Sequence, residues 1–293
     1  MSIAAAAKLN LGLEVLRRRS DGYHEVRTVL QTVSITDNLT ISESGILQVV
    51  SPGFDLPTGE NLVLSAAREI TRELDTPPVR IDLQKTIPAA AGLGGASSDA
   101  ASTLRAILAL WRRYCSPTDL AALAARLGSD VPFFLTGGTA LASGRGEEIA
   151  PLPPLPLVWF VVAVPQLNLV HKTANMYRQL TMADFTDGTE VEGIAATIAS
   201  GDLPNWSGMP NPFMRPLIES HPQLHALHDA FRFAGAPFVA VTGAGPGHFT
   251  AVPERGDADA IRAVVAERYA EPLITFVCTP LPASPDPIVT TGS

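Results

Sequence analysis

Apolar and polar positions divide the first fifty residues into strand-like segments. IAAAAKLNLGLEVL is almost continuously apolar, and VRTVLQTVSI and LTISE alternate. Turn-forming SDG at 20–22 and TDN at 36–38 bound these runs, so the pattern predicts β-structure over 3–50. The period then lengthens. In ENLVLSAAREITREL, Leu62, Ala66, Ile70 and Leu74 recur at helical spacing. A strand, VRIDLQKTI, precedes a glycine-rich stretch. After it SSDAASTLRAILALWRRY sets Leu104, Ile107, Leu108 and Trp111 on one helix face. PTDLAALAARLG reads as a further helix with Pro117 and Thr118 at its start.

IAPLPPLPL, residues 149–157, holds four prolines without periodicity and reads as a linker. Beyond it the pattern predicts a strand (VWFVVAV), a helix (HKTANMYRQL), an irregular stretch over 183–213 and one long helix near 214–234. A strand (FVAVTG), a second glycine turn (GAGPG) and a strand-and-helix ending follow. The tail, LPASPDPIVTTGS, reads as mobile. The fold class expected is α+β in two domains, 1–150 and 157–282, with 283–293 as a flexible tail.

Composition narrows the function. A formal net charge of −8 over 293 residues argues against a broad basic face and hence against a nucleic-acid partner. Cys115 and Cys278 have no metal-like spacing and fit a reducing cytoplasm. No basic segment precedes the apolar N-terminus, so it does not read as a signal peptide. PLPLVWFVVAVP is too short to span a bilayer. A soluble, cytoplasmic protein is expected.

The chemistry centres on PAAAGLGGASSDAA, residues 88–101. It lacks the lysine of a P-loop, the third glycine of a dinucleotide fingerprint and the partner motifs of a protein kinase. Its small residues still let successive backbone N–H groups converge on an anion, and a helix N-terminus follows at once. A tight strand-to-helix turn packed for steric reasons would use the same residues.

Other segments decide between these. The loop, AAKLNLGLEVLRRRSDGYHEV, LGSDVPFFL and VTGAGPGHF, in that family's order and spacing, resemble the GHMP kinases. The resemblance runs from Ala7 to about residue 280. It narrows to members that phosphorylate a cytidine diphosphate derivative of methylerythritol, on a route to isoprenoid precursors. It implies a two-domain GHMP kinase fold, with an N-terminal part like ribosomal protein S5 domain 2 and a ferredoxin-like C-terminal part. It implies ATP with Mg²⁺ as phosphoryl donor, with no protein ligand assigned to the metal, and a monomer or weak homodimer.

By the same resemblance Lys8 and Asp130 are catalytic. A carboxylate can accept the hydroxyl proton and an ammonium can offset charge on the transferring phosphoryl group. Asp130 before Pro132 also suits a helix cap, and both roles can hold together. Pro88, Ala89, Ala90, Ala91, Gly92, Leu93, Gly94, Gly95, Ala96, Ser97 and Ser98 form the implied ATP loop, with Asn61 and Lys85 near adenine or ribose. Asn10, Tyr23, His24, Thr173, Tyr177, Gly243 and Gly245 are the implied substrate contacts. Tyr23 would stack on cytosine, His24 would bond its edge, and Tyr177 would complete a sandwich. DGYH read alone is a turn with an aromatic over the core, and Tyr177 read alone is equally core packing.

The chain departs from the family pattern at Ala244, where a hydroxyl residue is usual, at Ala6 and at Ala89–Ala91. His221, His225 and His228 share a helix face at a spacing that suits a transition metal, but no carboxylate or cysteine completes a set. A polar helix face is the simpler account.

Overall fold

Strand β1 (Ser2–Arg18) pairs antiparallel along nearly its whole length with β2 (His24–Glu43). From Ala5 to Val15 every residue of β1 is buried, as its nearly continuous apolar run requires, and Lys8, Asn10 and Glu14 are buried with it. The computed structural model describes residues 1–53, 61–167 and 172–289, with only the backbone for Lys172 and Thr173. β3 (Gln48–Val50), α1 (Leu62–Leu74) and β4 (Val79–Gln84) follow, then α2 (Gly95–Leu110), α3 (Pro117–Leu127) and α4 (Val131–Thr136). β5 (Thr139–Ser143) and β6 (Glu148–Leu152) complete a six-stranded sheet of order β3-β4-β2-β5-β6, with β1 on β2.

A second sheet, β10-β7-β9-β8, is antiparallel throughout. It consists of β7 (Trp159–Pro165), β8 (Ala240–Val241), β9 (His248–Val252) and β10 (Leu273–Cys278). Helices α5 (Lys172–Arg178), α6 (Thr189–Ala199), α7 (Met214–Ser220), α8 (Leu224–Phe233) and α9 (Arg255–Arg268) belong to this half of the chain. β1 joins the two halves: Ile3 and Ala5 lie in the core beneath α1 and α2, Leu9 and Leu11 in the core with β7, and Leu13 and Val15 in the core with α8 and α9.

Local chemistry explains the boundaries. Asn61 Oδ1 accepts from the N–H groups of Val63 (3.0 Å) and Leu64 (3.2 Å), so α1 starts there. Ser116 caps α3 ahead of Pro117. Four expectations are corrected. The linker begins later than 149, because residues 148–152 pair with β5 as β6. The long helix near 214–234 is two, since Pro222 disfavours helical geometry at His221, where α7 stops. The stretch 183–213 contains α6, whose Val191 N–H is bound by the buried Glu14 carboxylate at 2.8 Å. The tail is packed at least to Ile288, which exchanges backbone hydrogen bonds with Ser2 (2.8 and 2.7 Å); residues 290–293 lie outside the described ones.

Candidate active site

Lys8 and Asn10 point the same way from β1, as alternate strand residues do, and both are buried. The Lys8 ammonium donates to Asn10 Oδ1 and stands 4.0 Å from Asp130 Oδ2. Asn10 is itself fixed, its Nδ2 donating to Thr28 Oγ1 (2.9 Å) and its backbone N–H to Thr242 Oγ1 (3.2 Å). Burial pushes the Lys8 pKa below its ordinary value, and the Asp130 charge opposes that shift.

The glycine-rich loop passes directly over this pair. Lys8 N–H donates to Leu93 O at 2.9 Å. Ala90, Gly92 and Gly94 have φ of +53°, +84° and +71°, so the chain doubles back three times before α2 begins at Gly95. No side chain caps α2, which leaves its first N–H groups and the positive end of its dipole facing the cavity. The third glycine motif clamps the loop from behind. Gly247 N–H donates to Ala91 O (3.0 Å) and Thr242 Oγ1 to Gly92 O (3.2 Å). Contact is so close that a Cβ on Gly92 would lie 2.1 Å from Thr242 O.

Lys85 lines the cavity beside the loop, and its ammonium is held between two carboxylates, Asp37 and Asp99 (2.7 Å). Asp37 also accepts from the N–H groups of Thr86 (2.5 Å) and Ile87 (2.8 Å), fixing the chain as it enters the loop. Burial pushes Asp99 up to about 7; Lys85 opposes the shift and Asp37 adds to it.

Asp130 occupies the capping position of α4 but makes no side-chain cap bond, and its carboxylate is 41% exposed. Its side chain is thus open to the cavity. Two lobes meet here. One, about 750 Å³, is lined by the loop, Lys8, Asn10, Asn61, Lys85 and Gly243. The other, about 970 Å³, is lined by Arg18, Tyr23, His24, Arg178 and Phe185. Ser97, Asp130, Arg145, Ala174 and Tyr177 line both.

In the second lobe His24 stacks on Tyr177 at 4.8 Å and 23°, and Tyr177 meets Phe213 edge-on at 4.8 Å. Tyr23 lies farther out, 52% exposed, with the Arg145 guanidinium 4.7 Å from its ring centre. The ring opposite Tyr177 is therefore His24 and not Tyr23, because consecutive residues entering β2 turn to opposite sides. Tyr177 both packs on the core and lines the cleft. Burial pushes the His24 pKa down, with Arg18 adding to the shift.

Two expected contacts sit differently. Ser98 lies on the buried face of α2 while Ser97 lines both lobes. Gly245 backs the loop, where its Cβ would fall 2.2 Å from Ala91 O, and Gly243 and Ala244 line the cavity. Thr173 is the second residue of α5, and its side chain lies outside the described ones. The histidine face on α8 divides: His225 is exposed, while His228 packs edge-on against His248 at 4.8 Å. Among the described residues no group of three metal-binding side chains forms.

Sequence reading missed Arg145, Thr28, Thr242 and the two carboxylates, Asp37 and Asp99, that hold Lys85. Arg145 sits between two glycines in a strand-to-strand turn, and that setting was its one visible signal.

Residues 61–138, from the α1 cap past the loop to Asp130 and α4, match the GHMP kinases N terminal domain. A 4-diphosphocytidyl-2-C-methyl-D-erythritol kinase of Dehalococcoides mccartyi is 38% identical over 89% of this chain and 92% of its own length. One of Moorella thermoacetica is 37% identical over 94% and 98%. A crystal structure of 4-(cytidine 5'-diphospho)-2C-methyl-D-erythritol kinase superposes with a TM-score of 0.80 and 35% identity, covering 96% of this chain and 99% of that one. L. major mevalonate kinase shares the fold at a TM-score of 0.71 and 16% identity, covering 97% of each chain. The chain belongs to the 4-diphosphocytidyl-2-C-methyl-D-erythritol kinases, a branch of the GHMP family of ATP-dependent small-molecule kinases.

Proposed function

We propose that the chain transfers the γ-phosphoryl group of ATP to the 2-hydroxyl of 4-diphosphocytidyl-2-C-methyl-D-erythritol. The observation that carries this reading is the placement of Lys8 and Asp130 where a phosphate-binding lobe meets an aromatic lobe. ATP phosphates lie against the loop backbone and the start of α2. The cytosine occupies the lobe of Tyr23, His24 and Tyr177, and Arg145 faces the substrate diphosphate between base and acceptor.

The acceptor is a tertiary alcohol, so alignment with the γ-phosphorus dominates. As its oxygen bonds to phosphorus, the bond to the bridging oxygen of ADP breaks, and the hydroxyl proton passes to the Asp130 carboxylate. Lys8 faces the equatorial oxygens of the transferring group. Mg²⁺ arrives with ATP as part of that substrate, and Ser97 and Asp130, which line this lobe, would supply oxygen ligands to it.

In this reading residues 1–150 form the N-terminal domain and 157–282 the C-terminal domain. The protein works in the cytoplasm as a monomer or weak homodimer without nucleic acid. No described helix is long and apolar enough to cross a membrane.

ADP release with Mg-ATP tests the reading, with the cytidyl substrate, mevalonate and homoserine offered separately. Turnover on the cytidyl compound alone is expected, falling roughly 10²- to 10⁴-fold in Asp130→Ala. Turnover on mevalonate or homoserine instead would overturn the substrate, and an undiminished Asp130→Ala would overturn the site.

A further inference from the structure

α4 carries Asp130 at its start, yet it is only six residues long, too short to hold its own direction in water. Val131, Phe133 and Phe134 anchor it in the core against α2 and α3, and a further tie lies at its other end. The C-terminal segment crosses there as an ordered strap. Ser284 N–H donates to Thr136 O at 2.7 Å and Ser284 Oγ to Phe134 O at 2.9 Å, satisfying two carbonyls that the helix leaves without partners. The strap is lodged against Gly137 and Gly138. A Cβ on Gly137 would fall 2.4 Å from Ser284 Oγ, and one on Gly138 2.6 Å from Pro282 O.

The same strap binds the other elements of the site. Leu281 N–H donates to Thr32 O of β2 at 2.8 Å. Arg105 of α2 reaches Pro285 O at 2.8 Å and Asp286 at 2.7 Å. Within the site, the Phe134 ring and the Lys8 stem both press on Gly94, where a Cβ would meet them at 2.7 and 3.0 Å. A shift of α4 therefore moves Asp130 relative to Lys8 and the loop.

We infer that Ser284 is a positioning residue for phosphoryl transfer, holding α4 so that Asp130 keeps its place opposite Lys8. The inference rests on the reading of Asp130 as the group that receives the hydroxyl proton. It assigns the C-terminal strap a part in turnover beyond its part in stability. Misplacement of a reacting group by about an ångström costs up to about a hundredfold in rate. Removing residues 283–293 is expected to lower kcat by roughly that factor, and Ser284→Ala by about three- to tenfold. Both KM values stay within about twofold, since neither lobe loses a lining side chain.

The decisive experiment measures kcat and both KM values for Ser284→Ala and for the chain ending at Pro282. Each change is made in the parent and in Asp130→Asn, with cooperative melting checked for each protein. If Ser284 acts through Asp130, Ser284→Ala costs turnover in the parent and little or nothing in the Asp130→Asn background. An equal fold-loss in both backgrounds, or unchanged kcat in the parent, would overturn the inference while leaving Asp130 catalytic. Full turnover in Asp130→Asn by itself would instead overturn the reading of the site.

Discussion

Lys8 is 4% exposed and its ammonium has one neutral acceptor, Asn10, and one carboxylate at 4.0 Å. Desolvation outweighs the Asp130 charge, so its folded pKa lies below the unfolded 10.5. Between the two values the unfolded chain binds the extra proton, so stability rises with pH and the cost is full below the folded pKa. The ammonium is retained for what it does to a phosphoryl group. Lys8→Met is expected to lower kcat by about 10²- to 10³-fold. The same variant should raise stability by about 1 kcal/mol or more and lose the alkaline rise in parent stability. Thr242 Oγ1 lies 3.3 Å from Asn10 Oδ1, so its hydroxyl proton can turn from Gly92 O to that acceptor. Melting curves from pH 7 to 10, run beside the kinetics, check both halves. A variant that is both inactive and less stable would mean the ammonium holds the fold. Lys8 was legible in the sequence because a charge in an apolar strand needs a reason; Arg145 was not, because a charge in a glycine turn is ordinary.

The loop and the third glycine motif form one unit, though about 150 residues separate them, as the Thr242–Gly92 bond shows. Gly92 has φ +84° and its missing Cβ leaves room for the Thr242 carbonyl; Gly208 has the same φ with nothing within 4 Å. Gly208→Ala therefore measures backbone strain alone, about 1 kcal/mol. Gly92→Ala adds a collision with backbone that cannot rotate away. It should cost roughly 2 kcal/mol or more and raise KM for ATP well beyond anything seen for Gly208→Ala. Urea unfolding of both variants makes the comparison. Equal losses would show that the interlock gives way freely. The helical and strand periods made α1, α2 and α3 legible. They could not reveal the interlock, because periodicity reports a segment's own faces and not its distant partner. α6 was missed because Gly, Asp and Pro around it mask a short helix whose capping carboxylate, Glu14, comes from β1.

At the scale of the molecule, the two sheets meet along β1, and the cleft runs between the loop of one half and the α5 helix of the other. The net charge of −8 hides a local exception, for Arg18, Arg145 and Arg178 all line the aromatic lobe. That lobe suits a diphosphate, and the helix N-terminus of the other suits a second polyphosphate. If the lobes are separate compartments sharing a seam, ADP and CDP bind together. At a hundred times its Kd each ligand adds about 2.7 kcal/mol to stability, a shift of several degrees in Tm for a chain this size. Melting with ADP, with CDP and with both should then give a joint shift close to the sum. A joint shift no larger than the better single one would mean that the two compete for one lobe. Asp130 would then not lie between two bound substrates, and the transfer geometry inferred from the seam would fail with it. Additivity also predicts where it breaks: adding the γ-phosphate brings a further negative charge to the seam beside Asp130. The γ-phosphate and the CDP diphosphate repel across that seam, so the pair CDP and a non-hydrolysable ATP analogue should fall short of its own sum, and added salt should recover part of the difference.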